Sequence, residues 1–189
     1  MNNIYRRRCT SSSTRPGRSR KNLGEIAMRK PTVAVDFDSV IHSYSSGWQG
    51  AKVIPDPPVP GAIDWLLQLT ERADVVILSS RARTWGGRRA MRRWLREHVA
   101  ESVYEFWMDS GGWPVSVPRV VFQALMEHDL EGKTEEEKVV AAARDIVKHD
   151  LTVTATKPGA VALLDDRAVR FEGTFPAVDD LLKLRPWNR

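Results

Sequence analysis

Val33-Ala34-Val35-Asp36-Phe37-Asp38-Ser39-Val40-Ile41 decides how the rest of the chain is read. Pro31 and Thr32 open a short β-branched run, and two carboxylates stand where that run ends. Apolar runs of this length and valine content read as buried strands of a parallel sheet. In such sheets ligands bind beyond the carboxyl ends of the strands. Side chains repeat every second residue along a strand, so Asp36 and Asp38 are expected to face the same way. Two like charges ~5 Å apart, at an effective dielectric near 20, repel by roughly 3 kcal/mol. A cation, a shared proton or a substrate must offset that repulsion. Among thirteen aspartates in 189 residues a bare Asp-x-Asp carries little weight. The strand before it and the segments after it carry the reading.

After Ile41 a stretch with Gly47, Pro55, Pro57 and Pro58 forms a loop that leaves the strand tip and lies over whatever the tip binds. His42, Tyr44 and Trp48 are placed there to meet a substrate, although Trp48 is expected to pack the loop onto the domain and the role of His42 stays open. Pro60-Gly61 starts a helix to about Arg72, with Ile63, Leu66, Leu67 and Thr70 as its inward stripe. Val75–Leu78 is a second buried strand and ends in Ser79-Ser80-Arg81, hydroxyls and a guanidinium suited to phosphate oxygens.

A helix over 87–99 turns Met91, Trp94, Leu95 and Val99 inward, leaving Arg88, Arg89, Arg92, Arg93 and Arg96 on its other faces. Such a charge run is more commonly a solvated face than a nucleic-acid patch. Residues 100–133 read as a small insertion, with Tyr104, Phe106, Trp107 and Trp113 around Gly111-Gly112 and a short helix from Arg119 to His128. Phe106 and Trp107 are expected to anchor it and Trp113 to expose its ring. Thr134 and Glu137 make a capping box for a helix to about Lys148, with Val139, Val140, Ala143 and Val147 inward. Leu151–Thr154 is a third strand, Lys157-Pro158-Gly159 turns out of it, and Ala160–Leu164 is a fourth, ending at Asp165-Asp166-Arg167. Asp179-Asp180 falls inside the helical pattern of Val178, Leu181, Leu182 and Leu184 and reads as a solvated face.

Strands alternating with helices imply an α/β fold, a doubly wound, Rossmann-like parallel sheet. The length fits one domain at 31–189 behind a basic tail at 1–30. That tail holds nine Lys/Arg against Glu25 alone and almost nothing apolar, which reads as disordered. Met28 directly before the first strand is an alternative start of the chain. The remainder has twenty bases against twenty-three acids, so the +5 net charge belongs to the tail. One cysteine, Cys9, excludes an internal disulfide and fits a reducing, cytoplasmic compartment. No apolar run approaches the ~20 residues that span a membrane.

Carboxylates, a lysine and hydroxyls at one sheet edge are the parts of a Mg²⁺-assisted phosphoryl-transfer site, and the chain has no glycine-rich Walker loop. The order Asp36-x-Asp38, Ser79, Lys157-Pro158, Asp165-Asp166 resembles the haloacid dehalogenase (HAD) superfamily of phosphohydrolases, over roughly 32–81 and 151–187. Ser79-x-Arg81 and Asp165-Asp166-Arg167 further resemble the phosphatase domain of phage polynucleotide kinases. With Trp48-Gln49-Gly50 and Arg185-Pro186-Trp187, the frame is similar to small HAD hydrolases encoded by bacteriophages, which act in the host cytoplasm. Ser39 stands where those relatives usually carry glycine.

The resemblance implies a HAD-like fold and a phosphomonoester hydrolase. It makes Asp36 the nucleophile that forms an aspartyl-phosphate and Asp38 the general acid and base. Ser79 and Lys157 hold the phosphoryl group, and Ser80 and Arg81 join them in binding phosphate or substrate. Mg²⁺ sits among Asp36, the backbone carbonyl of Asp38, Asp165 and Asp166. The substrate implied is a nucleotide or a nucleic-acid 3′-phosphate. A sugar phosphate or other small metabolite is the alternative. A different class of function, nucleic-acid binding through the tail and the arginine helix, is opposed by the carboxylate edge, which repels phosphate unless a metal is bound.

Overall fold

Backbone register lines up the ends of four strands. The computed structural model of the protein describes residues 29–109, 117–127 and 133–168. In chain order these form β1 (Thr32–Asp36), α1 (Ala62–Thr70), β2 (Asp74–Leu78), a 3₁₀ turn (Ser80–Arg83) and α2 (Trp85–Asp109). Then come α3 (Arg119–Glu127), α4 (Glu135–His149), β3 (Leu151–Thr154) and β4 (Ala162–Leu164). The fold is α/β, with an all-parallel sheet in the order β3-β2-β1-β4. Asp36 pairs with Leu78 and Leu78 with Thr154, while Val35 pairs with Leu164. One step further along that register sets Asp165 beside Asp36. The order of strands reverses between β1 and β4, the place where open α/β sheets take ligands.

One face of the sheet supplies the core. Val35, Val75, Ile77, Leu151 and Val153 are buried on it, with Leu67, Met91, Leu95, Val99 and Ile146 from the helices in the same cluster. The stripe expected on α1 is buried as read: Ile63, Leu66, Leu67 and Thr70. The capping box of α4 forms, Thr134 Oγ1 accepting from the Glu137 backbone while Glu137 accepts from the Thr134 N–H. Val140, expected inward, is 56 % exposed, because the buried stripe runs through Val139, Ala142, Ala143, Ile146 and Val147 and leaves it on the outer face. No helix among the described residues is long and apolar enough to cross a membrane.

Residues 100–109, expected to open an insertion, continue a helix instead. α2 runs unbroken to Asp109 because no glycine or proline follows Gly87 in it and Val103 continues the stripe of Leu95 and Val99. Phe106 and Trp107 pack against the core, as anchors do, and Tyr104 is half exposed. α3 contributes Val121, Ala124 and Leu125 to the same core and packs on α4. Trp113, Asp179, Asp180 and the basic tail up to Met28 lie outside the described residues.

Two connections place the site. Among the described residues β4 is a short edge strand, with Val161 and Leu164 exposed, rather than a buried one. From β3 the chain reaches the opposite edge of the sheet through residues 155–161 with no helix, so it must pass the tips of β2 and β1 on the way. α2 starts hard against the 3₁₀ turn: a Cβ on Gly87 would run into the Arg81 carbonyl oxygen, and the Gly87 N–H donates to Thr84 Oγ1 at 3.0 Å. Gly87→Ala should therefore lower the melting temperature, at a cost of ~1–3 kcal/mol typical of overpacking, although alanine is the better helix former. A thermal melt at or above the wild-type midpoint would show that the turn yields freely.

Candidate functional site

Asp36 closes β1, and its neighbours across the sheet edge are Asp165 and Asp166, which follow β4 directly. Oxygens of the three carboxylates lie within 4.8 Å of one another. The Asp36 carboxyl is pushed up from 3.8 to about 7, first by burial and then by the charges of Asp165, Asp38 and Asp166, against a backbone hydrogen bond at Phe37 that pulls it down. Asp166 Oδ2 is buried and takes no hydrogen bond from the described residues, with Arg167 Nε 3.5 Å away. Three carboxylates this close suit a hard divalent cation, which takes carboxylate ligands at ~2.0–2.5 Å.

Asp38 is turned to different partners. β1 ends at Asp36, Phe37 is fully buried, and the chain bends before Asp38 bridges to His42. Ser39 then adopts φ 71°, the left-handed conformation that glycine takes most easily, with its N–H donating to the His42 carbonyl at 2.8 Å. The Asp38 carboxylate receives Arg81 Nε on both oxygens at 3.0 Å and faces His42 Nδ1 at 3.0 Å. Its side chain lies outside the three-carboxylate group, which leaves only the backbone carbonyl of Asp38 for the part expected of it there.

Arg81 was expected to clamp phosphate or substrate. It is fully buried: Nε and Nη1 are used to build the site, and Nη2 finds no acceptor among the described residues. Nη1 donates to the carbonyls of Gly50 and Val53, both at 2.8 Å, tying the loop of residues 42–58 to the turn after β2. The Trp48 ring lies over the guanidinium at 4.6 Å. Trp48 is 54 % exposed and lines the cleft, so the expectation that it only packs the loop is corrected. His42 has no exposure at all: it stacks on Phe37 and meets Trp94 edge-on. Its Nε2 is 3.6 Å from Asp56. Burial would raise the Asp56 carboxyl, but hydrogen bonds from Ser46 and Ser45 and the charge of His42 hold it below its ordinary value.

The cleft above the strand tips has a volume of about 400 Å³. Asp36, Asp38, Ser79, Ser80, Lys157 and Asp165 line it, which brings six of the expected site residues to one place; Asp166 joins through Asp36 and Asp165, and Arg81 lies behind Asp38. Ser79 Oγ accepts the Arg81 N–H at 3.1 Å, which leaves its own proton to donate. Arg83, Arg167 and Tyr44 also line the cleft. Arg167 entered the sequence analysis without a role and Arg83 not at all; their signal is position, two residues past Arg81 for Arg83 and one past Asp166 for Arg167. His42 shows in the sequence only as a histidine four residues after Asp38.

Comparison of the chain with protein-family models, curated proteins and solved structures finds no match.

Removing one partner of a buried ion pair costs ~3–5 kcal/mol. Arg81→Met should destabilise the protein by roughly that much, and Arg81→Lys should rescue little, since an ammonium cannot reach Asp38 and the two carbonyls together. Chemical denaturation of both variants checks this. Asp36 gives a second expectation. Its folded pKa is above its unfolded one, so its stabilising contribution is complete below about pH 4 and is lost as pH rises through 7. In chelator, wild-type stability should fall over that window relative to Asp36→Asn, and the difference between their melting curves measures it.

Proposed function

We propose that the protein is a Mg²⁺-dependent phosphomonoester hydrolase working through an aspartyl-phosphate on Asp36, with a nucleotide or nucleic-acid 3′-phosphate as substrate. The observation that carries this reading is the convergence of Asp36, Asp165 and Asp166 at the switch point of a parallel sheet, under a cleft that also holds Ser79 and Lys157. It agrees with the resemblance of the strand-end motifs to HAD phosphohydrolases.

In this reading a carboxylate oxygen of Asp36 attacks phosphorus, and the bond from phosphorus to the leaving oxygen breaks. Asp38 gives that oxygen a proton, then takes one from the water that cleaves the acyl phosphate and restores Asp36. Arg81 and His42 hold the Asp38 carboxylate in one orientation through both steps. Ser79 donates its hydroxyl proton to a phosphoryl oxygen, and Lys157 brings positive charge to the phosphate. A divalent cation held by Asp36, Asp165 and Asp166 would neutralise charge on the phosphoryl group.

Phosphate release from p-nitrophenyl phosphate, nucleoside 3′-phosphates, 3′-phosphorylated oligonucleotides and sugar phosphates tests the reading. Chelator should abolish turnover and Mg²⁺ restore it. Asp36→Asn should lose at least ~10³-fold in kcat, as loss of a nucleophile does. Turnover near the wild-type rate in that variant, or full activity in chelator, would overturn the assignment.

A further inference from the structure

We propose that the groove between α2 and α4 binds the backbone of a single-stranded polynucleotide, so that the cleft acts on the phosphorylated end of such a strand. The inference rests on the hydrolase reading of the cleft for its second half only. The groove has a volume of about 560 Å³. Arg88, Arg89, Arg92 and Arg96 line it from α2, and Arg144 and Lys148 from α4, above a floor at Val147. No carboxylate lines it.

Three features separate this groove from an ordinary solvated face. First, α2 has no acid from Trp85 to Arg96, so the three- and four-residue pairings that balance charge on exposed helices are missing. Among the described residues Arg88, Arg89, Arg92 and Arg96 pair with no carboxylate; two of them reach carbonyls instead, Arg88 that of Ala82 and Arg96 that of Arg92. Second, Arg88 and Arg89 stand at the first turn of α2, where the helix dipole disfavours positive charge. The folded chain alone therefore carries uncompensated repulsion, which a polyanion would relieve. Third, Trp85 stands at the mouth, 73 % exposed, with Arg89 5.4 Å over its ring. An exposed ring among phosphate-binding cations is the arrangement that holds an unpaired base, which favours a single strand over a duplex.

The groove also begins where the cleft ends. Arg83 lines the cleft, and Trp85, two residues on, lines the groove. Lys52, from the loop over the cleft, lies against Gly86, the residue after Trp85. From Trp85 to Arg96 α2 rises roughly 16 Å, room for several nucleotides.

Fluorescence anisotropy with labelled single-stranded oligonucleotides ending in a 3′-hydroxyl, from two to twelve nucleotides, tests binding apart from hydrolysis. Wild-type affinity should rise with length and then level off. In the double variant Arg92→Gln/Arg96→Gln, the twelve-mer should bind ~10-fold more weakly, the advantage over the dinucleotide should shrink, and the salt slope should fall by ~1.4 for two lost phosphate contacts. Equal weakening at all lengths, unchanged affinity, or tighter binding of a duplex than of a single strand would overturn the proposal. So would a wild-type chain that shows no length dependence while hydrolysing small phosphomonoesters. Length-dependent binding by a chain that releases phosphate from nothing would uphold the groove and overturn the hydrolase reading instead.

Discussion

The site depends on one buried guanidinium. Arg81 reaches Asp38 through Nε and the loop over the cleft through Nη1, while its own backbone N–H is held by Ser79. A full positive charge removed from water is tolerated when charge and carbonyl oxygen meet it. Nε and Nη1 are met in this way, while Nη2 finds no acceptor among the described residues. The bonds made fix three things at once: where Asp38 sits, where the Gly50–Val53 segment crosses, and how the chain leaves β2. Trp48 then covers the guanidinium. The loop over the cleft is thereby part of the folded body.

The other constraint is the parallel register, which brings like charges together. Asp36 ends β1 and Asp165 follows β4 at the same level, and the ladder fixes their backbones side by side. Burial and mutual repulsion push the Asp36 proton affinity up by about three orders of magnitude, from 3.8 to about 7. Such an arrangement stores a demand for positive charge. Arg83, Lys157 and Arg167 around the cleft meet part of it from the rim.

Much of this was legible in the sequence for a simple reason. Short β-branched runs bounded by turn residues give strands, and the polar residues after them fall at the tips; that logic located Asp36, Ser79, Lys157 and Asp165. Helix stripes gave the inward faces of α1 and most of α4, and Thr134 with Glu137 gave a helix start. The failures share a cause as well. Period-two reasoning put Asp38 on the side of Asp36, and both do line the cleft, but the strand stops at Asp36 and its alternation gave no sign of the partners Asp38 takes, Arg81 and His42. Arg81 reads as a surface clamp because arginine is seldom buried, and only the carboxylate and carbonyls that surround it in space account for its burial. Aromatic clustering suggested a break at residue 100, where the continuing stripe of Val99 and Val103 keeps the helix intact.

The long return to β4 has a kinetic meaning. β1 pairs with β2 through contacts about forty residues apart in sequence, whereas its pairing with β4 joins Val33 to Ala162 across most of the domain. Loop-closure entropy makes the second pairing the slower to form. With only three residues in its ladder, β4 is also the strand with least to hold it among the described residues. Asp36 and Asp165 therefore meet only when β4 has docked. A chain caught before that step has most of its core and none of its three-carboxylate group, so cation binding would select the completed fold and slow the departure of its weakest edge.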